Sequence, residues 1–124
     1  MNNLDRALTK LGEGIDVPRD NPLVLEGTIQ RFEYAIELMW KTLKRALQYE
    51  GRPTRTPRES LKESYAVGWL DSEIVWIDML DCRNTTSHLY LEDELVEDTY
   101  DKIVDYYPEM VKVLNFLKEK YKDL

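Results

Sequence analysis

Between Thr28 and Glu50, the residues Ile29, Phe32, Ile36, Met39, Leu43, Ala46 and Leu47 recur at alternating steps of three and four. That spacing gathers apolar side chains on one stripe of an α-helix and would scatter them over both faces of a strand. No segment of the chain alternates with period two, so the expected fold class is all-α. A second long stripe, Val96, Tyr100, Ile103, Tyr107, Met110, Leu114, Leu117 and Tyr121, predicts a helix from about Asp93 almost to the end. Pro108 within it removes one backbone hydrogen bond and should kink it.

Shorter helices fill the remainder. Leu4, Leu8 and Leu11 predict a first helix over 3–12, with Gly12 and Gly14 near its end. The loop "DVPRDNP" follows. Asn21 can then cap the long second helix, with Pro22 at its first position. Gly51 ends that helix and Pro53 cannot continue it. Thr56, Pro57, Arg58 and Glu59 form a capping box that opens a third helix over 57–67, which stops near Gly68. Asp71 is expected to cap a fourth, with Ile74, Ile77 and Leu80 facing inward and Trp76 as a further candidate. Five helices joined by short loops imply an antiparallel up-and-down bundle. At 124 residues, one domain over 1–124 is expected, large enough to bury roughly two thirds of the unfolded surface.

Composition narrows the function classes. The chain is 43% hydrophobic and 33% charged, a globular balance. No apolar run is long enough to cross a membrane. The N-terminus lacks the basic start and apolar block of a signal peptide. A lone cysteine cannot form an internal disulfide, and the expected compartment is the cytoplasm. A net charge of −7 argues against a general nucleic-acid binder. The charge is uneven, however. Lys41, Lys44, Arg45, Arg52, Arg55 and Arg58 face only Glu50 in the same stretch, whereas Glu92 to Asp101 is acidic with no cation. Two solvated helix faces would account for this as readily as a binding surface would.

The segment "CRNTTSHLY", residues 82 to 90, holds the only histidine and the only cysteine. Five residues on an unbroken helix turn through about 140°, which would point Arg83 and His88 apart. Asn84, Thr85, Thr86 and Ser87 favour caps and turns. The fourth helix is therefore expected to end here, with Arg83 on its last turn and His88 just beyond, both within reach of one cleft. A guanidinium suits a phosphate, and an imidazole transfers protons near neutral pH. Together they suit metal-free cleavage of RNA: the imidazole deprotonates a 2′-hydroxyl and the guanidinium steadies the phosphorane. One histidine per chain supplies the base or the acid, and a two-fold dimer would supply both.

Blander readings stand beside this one. Arg83 and His88 could simply satisfy the carbonyls of a helix end. His88 and Glu92 are too few ligands for a zinc site. Cys82 beside Arg83 could have a lowered pKa, or it could be a small buried hydrophobe. Trp40, Trp69 and Trp76 fit a core better than stacking platforms, and Tyr90 fits packing as well as chemistry.

Read together, the motifs resemble a known family. Arg31, Phe32, Glu33 and Tyr34 lead to Glu37, Leu38, Trp40 and Lys41 on the second helix. Pro57 and Arg58 open the third. Trp76, Met79, Leu80, Arg83, Asn84, Ser87, His88 and Tyr90 follow in order. This set, spanning roughly residues 26 to 120, is similar to the nucleotidyltransferase substrate-binding family, a HEPN branch related to the HepT toxins. Ala35 and Met39 depart mildly from the expected pattern.

The resemblance implies a five-helix HEPN bundle, a homodimer with Arg/His motifs at a shared cleft, and a cognate minimal nucleotidyltransferase as partner, in a heterotetramer or larger. It implies Arg83 and His88 as a metal-independent ribonuclease site, with Asn84 as polar companion and Tyr90 as the residue that receives AMP. No cofactor and no metal are expected. Lys41, Lys44, Arg45, Arg52, Arg55 and Arg58 are the candidate contacts to RNA or partner. The alternatives are a non-catalytic subunit of a nucleotidyltransferase complex and, less specifically, a plain helical scaffold.

Overall fold

The computed structural model of the protein describes residues 1–86 and 93–122, with the backbone alone at 93 and 94. Five helices follow one another: α1 (Asn2–Asp16), α2 (Pro22–Tyr49), α3 (Pro57–Ala66), α4 (Glu73–Thr86) and α5 (Asp93–Lys120). They form an antiparallel up-and-down bundle, and no strand occurs among the described residues.

Local chemistry sets most boundaries. Asn21 caps α2, its side-chain oxygen accepting from the Leu23 N–H at 2.9 Å, with Pro22 at the first helical position. At the other end Gly51 has φ +78°. There the Arg52 N–H donates to Leu47 O at 2.8 Å and the Gly51 N–H to Gln48 O at 3.0 Å, a Schellman closure that needs a left-handed residue. Gly68, at φ +87°, closes α3 in the same way, with the Trp69 N–H on Ser64 O and the Gly68 N–H on Tyr65 O. The α3 cap is half of the expected box. Thr56 Oγ1 accepts from the Glu59 N–H at 3.1 Å, but the Glu59 carboxylate takes the Arg55 N–H instead of returning to Thr56.

Four expectations need correction. First, α1 continues past residue 12 to Asp16. Its glycines are points of close approach: a Cβ on Gly12 would collide with the Tyr107 ring end, and one on Gly14 would lie 2.8 Å from Thr28 Oγ1. Second, α4 is capped by Ser72, whose hydroxyl accepts from the Val75 N–H at 3.3 Å, while Asp71 pairs with Lys112 of α5. Third, the buried stripe of α4 is Trp76, Met79 and Leu80; Ile77 is half-buried and Ile74 is 82% exposed. Fourth, α5 buries Tyr106 and Val113 as well as the expected stripe, and leaves Tyr107 half-buried against Gly12. Pro108 lies within α5, which continues through it.

The core is built around α2, which touches every other helix. Phe32, Ala35, Ile36, Met39 and Leu43 of α2 are fully buried, as are Leu11, Leu61, Trp76, Met79, Ile103, Met110 and Leu117 from the other four helices. At about 25 cal/mol per Å² of apolar area, this burial is the main stabilising term.

Candidate functional site

The buried stripe of α4 leads directly to Arg83. Trp76 and Met79 are fully buried, and Arg83 follows at seven and four residues, so it leaves the core on the same face. The described part of α4 runs to Thr86, and the helix end expected in this segment lies outside the described residues. Thr86 Oγ1 donates to Arg83 O at 2.8 Å and Thr85 Oγ1 to Asp81 O at 3.0 Å.

Facing Arg83 on α2 is Glu37, between the buried Ile36 and Met39. Its Oε2 lies 3.3 Å from Arg83 Nη2 and accepts from Trp40 Nε1 at 3.0 Å; its Oε1 lies 3.4 Å from Lys41 Nζ. Burial pushes the Glu37 carboxyl upward, but the Trp40 hydrogen bond and the charges of Arg83 and Lys41 outweigh it and hold the group below its ordinary value. Arg83 Nη1 donates to Asn84 Oδ1 at 3.5 Å, the long limit of a hydrogen bond. Its Nε is buried with no acceptor among the described residues. The arrangement is a half-buried, fully charged guanidinium held from one side by a carboxylate, with donor capacity remaining for an anion.

His88 and Tyr90, the other two principal sequence candidates, lie outside the described residues, as do Ser87 and Glu92. Among the described residues no three His, Cys, Asp or Glu side chains gather as a metal site would require.

The expected basic island is broken up by carboxylates. Lys41 pairs with Glu37, Arg52 with Glu63 at 2.8 Å and Arg58 with Asp81 at 3.0 Å. Lys44, Arg45 and Arg55 have no carboxylate partner among the described residues. The Arg58–Asp81 pair ties the start of α3 to the turn of α4 that carries Arg83.

On the opposite flank of α4, Tyr106 of α5 donates its hydroxyl to Asp78. Burial, then this hydrogen bond, raises the Tyr106 pKa. Beside them Cys82 is half-buried, and desolvation pushes its thiol up to about 11, with Asp78 and Glu33 adding to the rise against Lys102. Both the half-burial and the upward shift favour the reading of Cys82 as a small hydrophobe over that of an activated thiolate. Trp76 is core, Trp40 serves Glu37, and Trp69 packs against Phe116 and Tyr121. The residue that sequence reasoning left without a role is Glu37. The signal available for it was the Glu37, Trp40, Lys41 spacing of three and four, which places all three on one helix face.

Comparison with known proteins gives concordant matches. Residues 1–119 match the family described as nucleotidyltransferase substrate binding protein like. A Haemophilus influenzae protein named "Probable ribonuclease HepT" is 30% identical over 102 residues, covering 78% of this chain and 69% of its own length. Among solved structures, a Thermus thermophilus protein superposes with a TM-score of 0.86 at 30% identity, over 92% of this chain and 98% of that one. A Haemophilus influenzae structure, described as revealing the fold of a substrate-binding domain of a nucleotidyltransferase, gives 0.84 at 28% identity, over 94% and 98%.

Proposed function

The chain belongs to the nucleotidyltransferase substrate-binding-protein-like family, and from that premise we propose that it is a HEPN-type toxin ribonuclease that cleaves RNA without metal. The observation that carries this reading is Arg83: a half-buried guanidinium on α4, one turn beyond the buried Met79 and braced by Glu37 of α2. His88 takes the proton of a ribose 2′-hydroxyl. The freed oxygen attacks phosphorus, the bond to the 5′-oxygen breaks, and an acid returns a proton to that leaving oxygen. Arg83 stabilises the negative phosphorane, and Asn84 orients substrate or imidazole. A homodimer, each chain one HEPN-like domain over 1–124, supplies the second imidazole as acid.

In this reading the protein acts in the cytoplasm. A cognate minimal nucleotidyltransferase silences it by transferring AMP to Tyr90, which places negative charge and bulk two residues from His88. Lys41, Lys44, Arg45, Arg52, Arg55 and Arg58 guide RNA or contact that partner. Of these, Lys44, Arg45 and Arg55 have the strongest support, since their charge is not already countered by a carboxylate among the described residues.

A second reading has its own support: a non-catalytic subunit that presents substrate to the nucleotidyltransferase. The net charge of −7 and the neutralised half of the basic island favour it. Expression of the chain alone separates the two, since the ribonuclease arrests growth and the binding subunit does not. In vitro, purified protein in chelator should cut RNA, and His88→Ala should lower the rate by about 10²- to 10⁴-fold. Equal cutting by the alanine variant contradicts the mechanism.

A further inference from the structure

We propose that Glu37 is the positioning residue for Arg83, a carboxylate bracket on α2 that fixes the orientation in which the guanidinium meets a substrate phosphate. This rests on the ribonuclease reading above and adds to it a residue on a different helix. The Arg83 side chain is partly exposed at the edge of the bundle, so apolar packing alone does not fix its head group. A flexible side chain there would have to be ordered anew each time substrate bound. Glu37 removes that cost. Its Oε2 lies 3.3 Å from Arg83 Nη2, and it sits between Ile36 and Met39, both fully buried.

Glu37 is itself fixed. The Trp40 indole N–H donates to it at 3.0 Å and the Lys41 ammonium stands 3.4 Å from its second oxygen. Three donors converging on one half-buried carboxylate are more than a solvated surface pair requires. They leave the carboxylate charged, with its direction set. The bracket engages Nη2, while Nε stays buried with no acceptor among the described residues. Support of this type, in which an outer residue orients the group that touches substrate, commonly governs rate more than binding.

The test compares wild type with Glu37→Ala and Glu37→Gln in steady-state RNA cleavage, with the side-chain Nε–H resonance of Arg83 followed by NMR. Positioning predicts that Glu37→Ala lowers kcat by about tenfold or more with KM changed less than about twofold. Glu37→Gln, which keeps an acceptor for Trp40 and Arg83, should recover part of the loss. The Arg83 Nε–H should exchange with water faster in Glu37→Ala than in wild type. An unchanged kcat, or a fall in KM alone, overturns the proposal, because the carboxylate would then merely compete with RNA for the cation. Should wild type cut no RNA, the ribonuclease reading fails by itself. The bracket then stands or falls on the resonance: faster exchange in Glu37→Ala supports it, and identical exchange refutes it.

Discussion

The seam that α1 makes with α2 and α5 differs in kind from the seam between α2 and α4. The first is apolar and tight. Leu4, Leu8 and Leu11 are buried to 2% exposure or less, and glycines at 12 and 14 let Tyr107 and Thr28 come within reach of the α1 backbone. The second begins in the same way, with Trp76 and Met79 fully buried, but ends in charge, with Glu37, Lys41 and Arg83 at its edge. One helix, α2, serves both: its stripe of Phe32, Ile36 and Met39 holds the core, and Glu37 and Lys41 lie on the neighbouring face, where Glu37 meets Arg83. The lesson is that apolar packing and the charged cluster are separated by helix face rather than by region of the chain, so substitutions should sort by face.

The largest expected effect lies in the buried part of the second seam. Trp76→Ala should destabilise the fold by about 3–5 kcal/mol, read from chemical denaturation, because it empties a large, fully buried volume. A loss below about 1 kcal/mol would mean that α4 packs more loosely than described. The glycines give a smaller and signed contrast. Gly12→Ala should destabilise by about 1–3 kcal/mol, since Tyr107 must move. Gly27→Ala, in the same type of helix interior but with open space around the new Cβ, should stabilise by about 0.5–1 kcal/mol through helix propensity alone. Equal effects at the two positions would break the comparison. On the polar seam, Glu37→Gln should change stability by less than about 1 kcal/mol, as a partly exposed ion pair does, even though it alters Arg83.

The flank of α4 away from Glu37 makes a pH prediction. The Tyr106 pKa is raised in the fold by burial and by Asp78, so the neutral phenol is the favoured form. The associated stability is complete below the unfolded tyrosine pKa and is lost as pH rises above about 10. Tyr106→Phe should flatten that alkaline loss, measured by urea titration across the range. Cys82, its thiol pushed up to about 11 by burial, should react with a disulfide reagent far more slowly in the folded protein than in denaturant. Comparable rates would show that the α4–α5 face is open.

Much of this was legible in the sequence because helices announce themselves through periodicity and through caps. The stripe of α2, Asn21 with Pro22, Thr56, Gly51 and Gly68 each act locally, so reading them required no knowledge of neighbours. The misreadings came from tertiary choices. Gly12 and Gly14 signal a helix stop in isolation, whereas packing against Tyr107 and Thr28 makes them internal contacts. Ile74 looks like core by composition, yet the register chosen by Trp76 and Met79 leaves it outside. Of the site, the position of Arg83 on α4 one turn beyond the buried Met79 could be read from the helical spacing of Trp76, Met79 and Arg83. The salt bridge to Glu37 could not, because it joins residues 46 positions apart on two helices, and only the bundle sets their distance.

The most direct test of the account is metal-free cleavage of a labelled RNA by the purified protein in excess chelator, run beside Arg83→Ala. The account predicts cutting by wild type, with a rate about 10²- to 10³-fold lower in the variant, the usual effect of removing a group that stabilises transition-state charge. No cutting by wild type, or the same rate from both proteins, would contradict it.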